Sequence, residues 1–517
     1  MSIDEKPTAQ FIEDISDNSN TSIQNNQDET KFEDDDFSDL DESKILRKMD
    51  WNILPLASAL YLLAFLDRGN IGNAKIEGLI EDLDLSPDQY NLCLTIFFIT
   101  YSLFEVPSNM LFKKIGKPRI FLGSIMISWG IVMTLMGIVQ NFQGLFATRL
   151  FLGITEAGLF PAISFQLSMF YCKGEMQLRQ AIFYGAASVA GAFSGILAFG
   201  IAHMSGVGGY RGWRWIFILE GLLTIVVAAI ALFTFPDFPE KVKFLNEREK
   251  KFVLWRLSND NNTVKDNNED LQTRKPNFNK FNDSNDYNLW KNLKIAFMDF
   301  QIYLHLLLYY GIISPTYGIS LFLPTVVKAL GYSTAHAQLM TVPIYVTASI
   351  SSVIQAFFAD KLGKRSPFIM INLILVIVGF TMAIVGEETG KPKVIYGGVY
   401  VAILGLYSAF PGILAWLSNN LANSKKRAIG VAIHIGIGNF GGAFASNFYK
   451  GTNYTLGHSL ELGFAIMGLI SCSCLIISYN YINKKRLKDL KMGKFDDYTD
   501  EGFFKMGDKS PHYVYRI

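Results

Sequence analysis

Apolar stretches of about 20 residues recur along the chain. They lie near 52–71, 89–111, 119–139, 143–170, 178–204 and 213–235, and again near 301–324, 339–360, 366–386, 395–419, 428–449 and 461–482. About 20 helical residues cross the ~30 Å hydrocarbon core of a bilayer, so the pattern predicts two sets of six transmembrane helices. Between the sets, residues 236–292 are polar and crowded with Asn, Asp and Lys. They read as a linker with one short amphipathic helix near 246–257. The first forty-odd residues, ending in EDDDFSDLDE, read as a disordered acidic tail. The expected organisation is a tail over 1–48, a six-helix bundle over 49–236, a linker over 237–298, a second bundle over 299–484 and a tail over 485–517. The fold class is an all-α membrane protein of two pseudo-symmetric six-helix bundles.

Composition agrees: half of the 517 residues are hydrophobic, 18% are charged and the net charge is +1, which fits a multi-span protein and predicts no nucleic-acid partner. Placement of charge is more telling. Lys44, Arg47 and Lys48, then Lys113, Lys114, Lys117 and Arg119, Lys361, Lys364 and Arg365, Lys425, Lys426 and Arg427, and Lys484, Lys485 and Arg486 all fall on one side of a twelve-span chain. The first loop opposite is acidic, with Glu77, Glu81, Asp82 and Asp84. By the positive-inside rule both termini are expected in the cytosol, with Arg211 and Arg214 as exceptions. Cys93, Cys172, Cys472 and Cys474 have no metal or redox spacing and read as packing residues. Neither a nucleotide-binding loop nor a nucleophile–base pattern recurs, so no cofactor, no metal and no enzyme activity are expected.

The halves echo each other. KKIGKPR at 113–119 corresponds to ADKLGKRS at 359–366, and Gly153 with Pro161 to Gly405 with Pro411, at an offset near 250. One duplicated six-helix unit accounts for this.

Charges inside the spans are the candidate chemistry, because each costs roughly 2.5–3.5 kcal/mol at a lipid-exposed helix centre. Asp67 and Arg68 are adjacent and so point about 100° apart. Counted along the helices, Asp67 comes near the level of Arg149, and Glu156 shares a face with Arg149 two turns deeper. Arg68 or Arg149 can meet a carboxylate bidentately, while Asp67 and Glu156 can hold and pass protons. An alternative is a static Asp67–Arg149 bracket. Glu105, just before Pro107, and Glu220, six residues after Arg214, suit gating or packing networks. The second half has almost no charge inside its spans. It offers His305, Tyr309, Tyr310, Tyr317, Asn419, Asn420, His434 and Asn439, which could cover a flat ring and hydrogen-bond a polar group.

Six plus six spans with a basic Gly-Lys/Arg loop after spans two and eight resemble the major facilitator superfamily. The loop is eroded in the first half, where 109–119 has no Asp, and kept in the second with Asp360, Gly363, Lys364 and Arg365. YLLAFLDRGNIGNAKI at 61–76, RLFLGITEAGLFPA at 149–162, GWRWIFILEG at 212–221 and the closing GDKSPHYVYRI together resemble the fungal anion:cation symporter family, which includes allantoate, nicotinate, pantothenate and biotin permeases. The resemblance implies a plasma-membrane, proton-coupled permease for a small organic anion working by alternating access, nicotinate being the best match, with Asp67, Arg68 and Glu156 in the coupling machinery. It leaves allantoate, a dipeptide, pantothenate or biotin as other substrates. Rival readings are a facilitator without proton coupling and a nutrient receptor that barely transports. The expected partners are the anion, protons and the bilayer, and the expected state is a monomer.

Overall fold

The helices begin where the sequence supplies caps. Asp41 accepts from the Lys44 amide at 3.2 Å. Ser86 and Gln89 form a reciprocal capping box, Asn141 accepts from Gly144 N at 2.9 Å, and Asp299 and Ser333 cap in the same way. The computed structural model describes residues 37, 39–172, 175–260, 297–421, 424–449, 454–495, 503 and 506–517. Of the expected tail over 1–48, residues 1–36 and 38 lie outside the described residues, and residues from Glu42 onward are instead the first turns of a helix; of the linker, 261–296 lie outside the described residues.

Among the described residues the chain forms helices α1 (Glu42–Ile76), α2 (Leu79–Asp82), α3 (Pro87–Ile115), α4 (Pro118–Met136), α5 (Phe142–Glu156), α6 (Leu159–Ser168), α7 (Met176–Ala202) and α8 (Gly212–Thr234). They continue with α9 (Glu247–Asp260), α10 (Phe300–Ala329), α11 (Thr334–Leu362), α12 (Ser366–Glu388), α13 (Pro392–Asn420), α14 (Ser424–Ala445) and α15 (Thr455–Lys491). Eleven segments are long and apolar enough to cross a membrane, and Ile429–Ala445 within α14 is a shorter twelfth. The short linker helix expected near 246–257 is α9.

The fourth span is not the single helix that its hydrophobicity predicts. It breaks into α5 and α6 at Ala157 and Gly158. Pro161 has no N–H to offer the carbonyl four residues back, which is that of Ala157. The two echoing loops share one backbone device: α3 ends at Gly116 with φ 60° and α11 at Gly363 with φ 64°, both left-handed, and proline follows in the first turn of the next helix. In the second loop Arg365 pairs with Asp360 at 3.7 Å. In the first, which lacks that acid, Arg119 reaches Asp237 instead at 3.8 Å.

The bundles meet along α1 with α10, α3 with α14 and α7 with α11. On the side away from the chain ends, the outer face in the orientation expected from the sequence, they are shut. Gly72 of α1 lies against the Leu321 carbonyl of α10 and Gly195 of α7 against the Gln338 carbonyl of α11, so a side chain at either glycine would overlap backbone. Lys328 donates to the Ile76 carbonyl at 3.0 Å, Gln338 to Glu77 at 3.2 Å, and Thr95 meets Ser446 at 2.8 Å. The Lys75 ammonium is held between the Tyr90 and Phe322 rings, 4.9 and 5.2 Å from their centroids.

On the opposite side, residues 506–517 fold back onto the second bundle. The Arg516 carbonyl accepts from Trp416 at 2.8 Å and from Asn420 at 3.0 Å, and Asn483 brackets Tyr515 with two 2.9 Å bonds. Lys426 sits between Asp299 at 2.5 Å and Asp508 at 2.8 Å, all three buried.

Candidate functional site

Asp67 and Arg68 do point different ways. Arg68, 6% exposed, turns toward the second bundle and pairs with Glu156 of α5. Its Nη1 donates to the Tyr317 hydroxyl of α10 at 3.0 Å. That hydroxyl donates to Asn439 of α14 at 3.0 Å, and the Asn439 amide donates to Glu105 of α3 at 3.1 Å. One hydrogen-bonded chain thus leaves the first bundle, crosses the second and returns. Phe65, Phe97, Tyr101 and Tyr317 surround the guanidinium at 5.6, 5.4, 4.8 and 5.6 Å from their centroids. These rings supply attraction without a second counter-ion.

Asp67 turns inward instead. Its Oδ2 accepts from Trp129 of α4 at 2.8 Å and from Thr224 of α8 at 3.1 Å, while Oδ1 has no partner among the described residues. Asn70, almost one turn on, donates to Glu220. The Asp67–Arg149 bracket considered from the sequence is not formed. Arg149 is fully buried, donates from Nε to the Cys93 carbonyl at 3.3 Å and lies 4.5 Å over the Phe97 ring, and both its Nη atoms lack a partner among the described residues. Counting rise along the helices put Asp67 and Arg149 at one depth but could not fix their azimuth. Phe97 therefore carries a guanidinium at each end of its surroundings: Arg68, neutralised by Glu156, and Arg149, with no carboxylate bound.

A cleft between the bundles reaches Arg68, lined by Phe65, Arg68, Phe98, Ser194, Tyr317 and Tyr345 among others, with Arg149 and Glu156 set behind the lining. About two turns of α1 toward the chain ends, an aromatic layer lies beneath it. Tyr184 of α7 stacks on Phe410 of α13 with centroids 3.7 Å apart, and Tyr61 packs on Phe183 at 4.6 Å.

The remaining sequence candidates divide. Asn439 and Glu105 belong to the central chain of bonds. Tyr309 and His434 pack ring to ring at 4.4 Å in the second bundle, Tyr309 also touching Phe410 of the aromatic layer at 5.6 Å. Both His434 nitrogens lack partners among the described residues. Tyr310, by contrast, bonds the Ile437 carbonyl at 2.6 Å and faces the exposed Phe444, so it turns away from the cleft. Asn419 and Asn420 lie at the end of α13, about 20 Å along the helix from Tyr407, whose ring is 6.4 Å from that of Phe65 in the cleft. There the Asn419 carbonyl accepts from Tyr513, and Asn420 holds Arg516. They serve the tail and are not gathered with Arg68. Arg214 is an outer-face residue, bonded to Asp82 at 2.9 Å and to the Val139 carbonyl at 2.6 Å. Asp360 and Arg365 stay in their loop.

The sequence reading overlooked three things. Phe97 and Tyr101, and Tyr61 and Phe65, are aromatic i,i+4 pairs whose spacing marks one helix face. Tyr184, Tyr407 and Phe410 carry no such local mark. Glu461 was hidden at the margin of the last span, whose helix starts earlier, at Thr455.

Two helix bundles closed around a buried, charged, aromatic-lined cleft are the architecture of a membrane transporter. A sequence profile of the Major Facilitator Superfamily matches residues 57–446, and the chain belongs to that superfamily. It is 30% identical over 481 residues to the High-affinity nicotinic acid transporter of Saccharomyces cerevisiae, covering 92% of this chain and 85% of that one. It is 34% identical over 489 residues to the MFS-type transporter cnsO of Penicillium expansum, covering 92% and 90%. Among solved structures, the xylose transporter XylE of E. coli, in a partially occluded inward open conformation, shares the fold with a TM-score of 0.57 at 14% identity, covering 82% of this chain and 96% of that one. A bacterial homolog of the human lysosomal transporter Spinster, inward-facing and unoccupied, has a TM-score of 0.55 at 15% identity and covers 92% of each.

Proposed function

We propose that this chain is a proton-coupled importer of a small organic anion, best matched by nicotinate, working by alternating access in the plasma membrane with both chain ends in the cytosol. The observation that carries the reading is the pair of guanidinium groups around Phe97. Glu156 occupies Arg68, whereas Arg149 has two buried N–H-bearing nitrogens without an acceptor among the described residues. Buried donors left unmade are costly, and a carboxylate is the group that satisfies a guanidinium fork bidentately. A carboxylate drawn into the cluster competes with Glu156 for the arginines. Released from Arg68, Glu156 takes a proton more readily, so anion and proton favour each other's binding, which is the linkage a symporter needs. Asp67, bonded from the other side, is a second proton carrier in this scheme. The aromatic lining suits a flat ring, and the resemblance to a nicotinic acid transporter points the same way.

Uptake of labelled nicotinate against a panel of unlabelled carboxylates tests the substrate, and collapse of the proton gradient tests the coupling. Uptake should fall when the gradient is collapsed. Glu156→Gln should abolish accumulation against a gradient while leaving nicotinate exchange. Full proton-driven accumulation by that variant would remove Glu156 from the mechanism.

A further inference from the structure

Glu461 is a buried carboxyl that this mechanism leaves unused. It lies on α15, about 9 Å from the outer end of the helix, is wholly buried, and neither oxygen has a hydrogen-bond partner among the described residues. Unpaired carboxylates are prohibitively expensive in such a place, whereas the neutral acid is tolerable. Gly318 of α10 and Ala445 at the end of α14 stand beside it, Tyr449 and, one turn earlier on α15, His458 lie close by, and Phe322 of α10 and Phe380 of α12 pack on those two rings. Of these only Tyr449 and His458 titrate. The Tyr449 hydroxyl meets His458 Nδ1 at 3.0 Å, and Nε2 of that histidine has no partner among the described residues. Histidine and glutamate three residues apart share a helix face. Tyr449, His458 and Glu461 thus descend from the outer loop into the second bundle.

Two further features tie this group to the transport site. The Glu461 carboxyl rests against Gly318, where any side chain would overlap it. Gly318 follows Tyr317, the residue that bonds Arg68. The same stretch of α10 contains Pro315 and Pro324, each of which removes a helix hydrogen bond and weakens the helix against bending.

We propose that Glu461 is a further proton-binding site, in the C-terminal bundle, loaded from the outer face past Tyr449 and His458 and sealed or opened by the Gly318 segment of α10. The carboxylate accepts a proton from outer water, crosses the cycle as the neutral acid, and returns the proton to water on the chain-end side. The proposal rests on the proton-coupled reading above.

The test uses the full chain in proteoliposomes with labelled nicotinate, reading protons moved per anion from the balance of nicotinate gradient, pH gradient and membrane potential. Wild type should move one proton more than Glu461→Gln, so an inside-negative potential drives wild-type uptake more steeply than uptake by the variant. Glu461→Asp should keep the potential dependence. Wild-type uptake indifferent to any proton gradient overturns the proton-coupled reading itself. Proton-driven uptake that is electroneutral in wild type, or a Glu461→Gln protein with unchanged potential dependence, overturns only the Glu461 site. Infrared spectra read the site without substrate and without refolding a variant under transport. The purified wild type should show a protonated-carboxyl band that Glu461→Gln removes and that weakens when the outer face is opened by Lys328→Ala with Gln338→Ala. A band that survives the substitution, or ignores the opening, overturns the proposal.

Discussion

The Arg68 guanidinium of the first bundle donates to the Tyr317 hydroxyl of the second at 3.0 Å, and that hydroxyl passes its own proton bond to Asn439. The hydroxyl has both a donor and an acceptor to satisfy, and no other side chain of that length does both. Tyr317→Phe leaves Arg68 Nη1 and Asn439 Oδ1 unpaired in a buried site, at a cost of about 1–3 kcal/mol. Transport efficiency should fall roughly tenfold or more while the ring still fills its place. Initial uptake rates at equal surface expression check this, and an unchanged kcat/KM would mean the bond does not persist through the cycle.

Arg149→Lys keeps the charge and removes the planar fork. If the fork takes the carboxylate, KM for the anion should rise about tenfold, in line with the loss of roughly 1.5–3 kcal/mol for a hydrogen bond to a charged group. A purely structural Arg149 would lower expression or Vmax and leave KM alone. Arg149→Met should be worse than the lysine variant in KM.

Closure of the outer face should respond to outside pH through Glu77. Burial pushes its carboxyl above the ordinary glutamate value, only partly opposed by Gln338 and Lys328. Once the face opens, water restores the ordinary value. The closed form therefore binds a proton more tightly than the open form, so closure strengthens as pH falls through the ordinary carboxyl value and weakens as pH rises through the elevated one. A cysteine placed at Thr95 should be labelled from outside more slowly in acid, and Glu77→Gln should flatten that dependence.

Removing Lys426 strands Asp299 and Asp508 together out of water. Breaking a buried charge group by taking away one partner costs about 3–5 kcal/mol, so Lys426→Met should lower the melting temperature clearly. Adding Asp299→Asn and Asp508→Asn should recover much of the loss. Burial works against the Lys426 ammonium, but Asp508 and Asp299 outweigh it and hold it above the ordinary lysine value. This stabilisation is present in full below the ordinary lysine value and disappears only as pH rises through the elevated one. Melting curves across that alkaline range check the sign.

Hydrophobic runs and Lys/Arg loops were enough to read the two bundles, because bilayer thickness and unsatisfied backbone leave a spanning chain few options. Local chemistry also carried Gly116 and Gly363, whose left-handed caps follow from the G-K/R loops. Distances along one helix were readable too, as for Arg149 and Glu156. What the sequence withheld is azimuth and neighbours across helices. Asp67 was expected near Arg149 and is bonded to Trp129 and Thr224 instead. Asn419 and Asn420 were equally polar and equally near the membrane as Asn439, yet only Asn439 faces Arg68. Their assignment to the tail depends on residues about 96 positions away in the chain. Glu461 escaped because hydropathy cannot tell a helix end at the interface from a helix that begins nearly two turns earlier.

Asp67 and Arg68 are joined by a single peptide unit, and their side chains grip opposite surroundings: α4 and α8 behind, the cleft in front. Rigid backbone admits no slack between them. A few degrees of roll by α1 must displace the acid and the guanidinium together. The helix is thus a rocker, and a displacement at the cleft is delivered mechanically to the back of the bundle without any messenger passing between them.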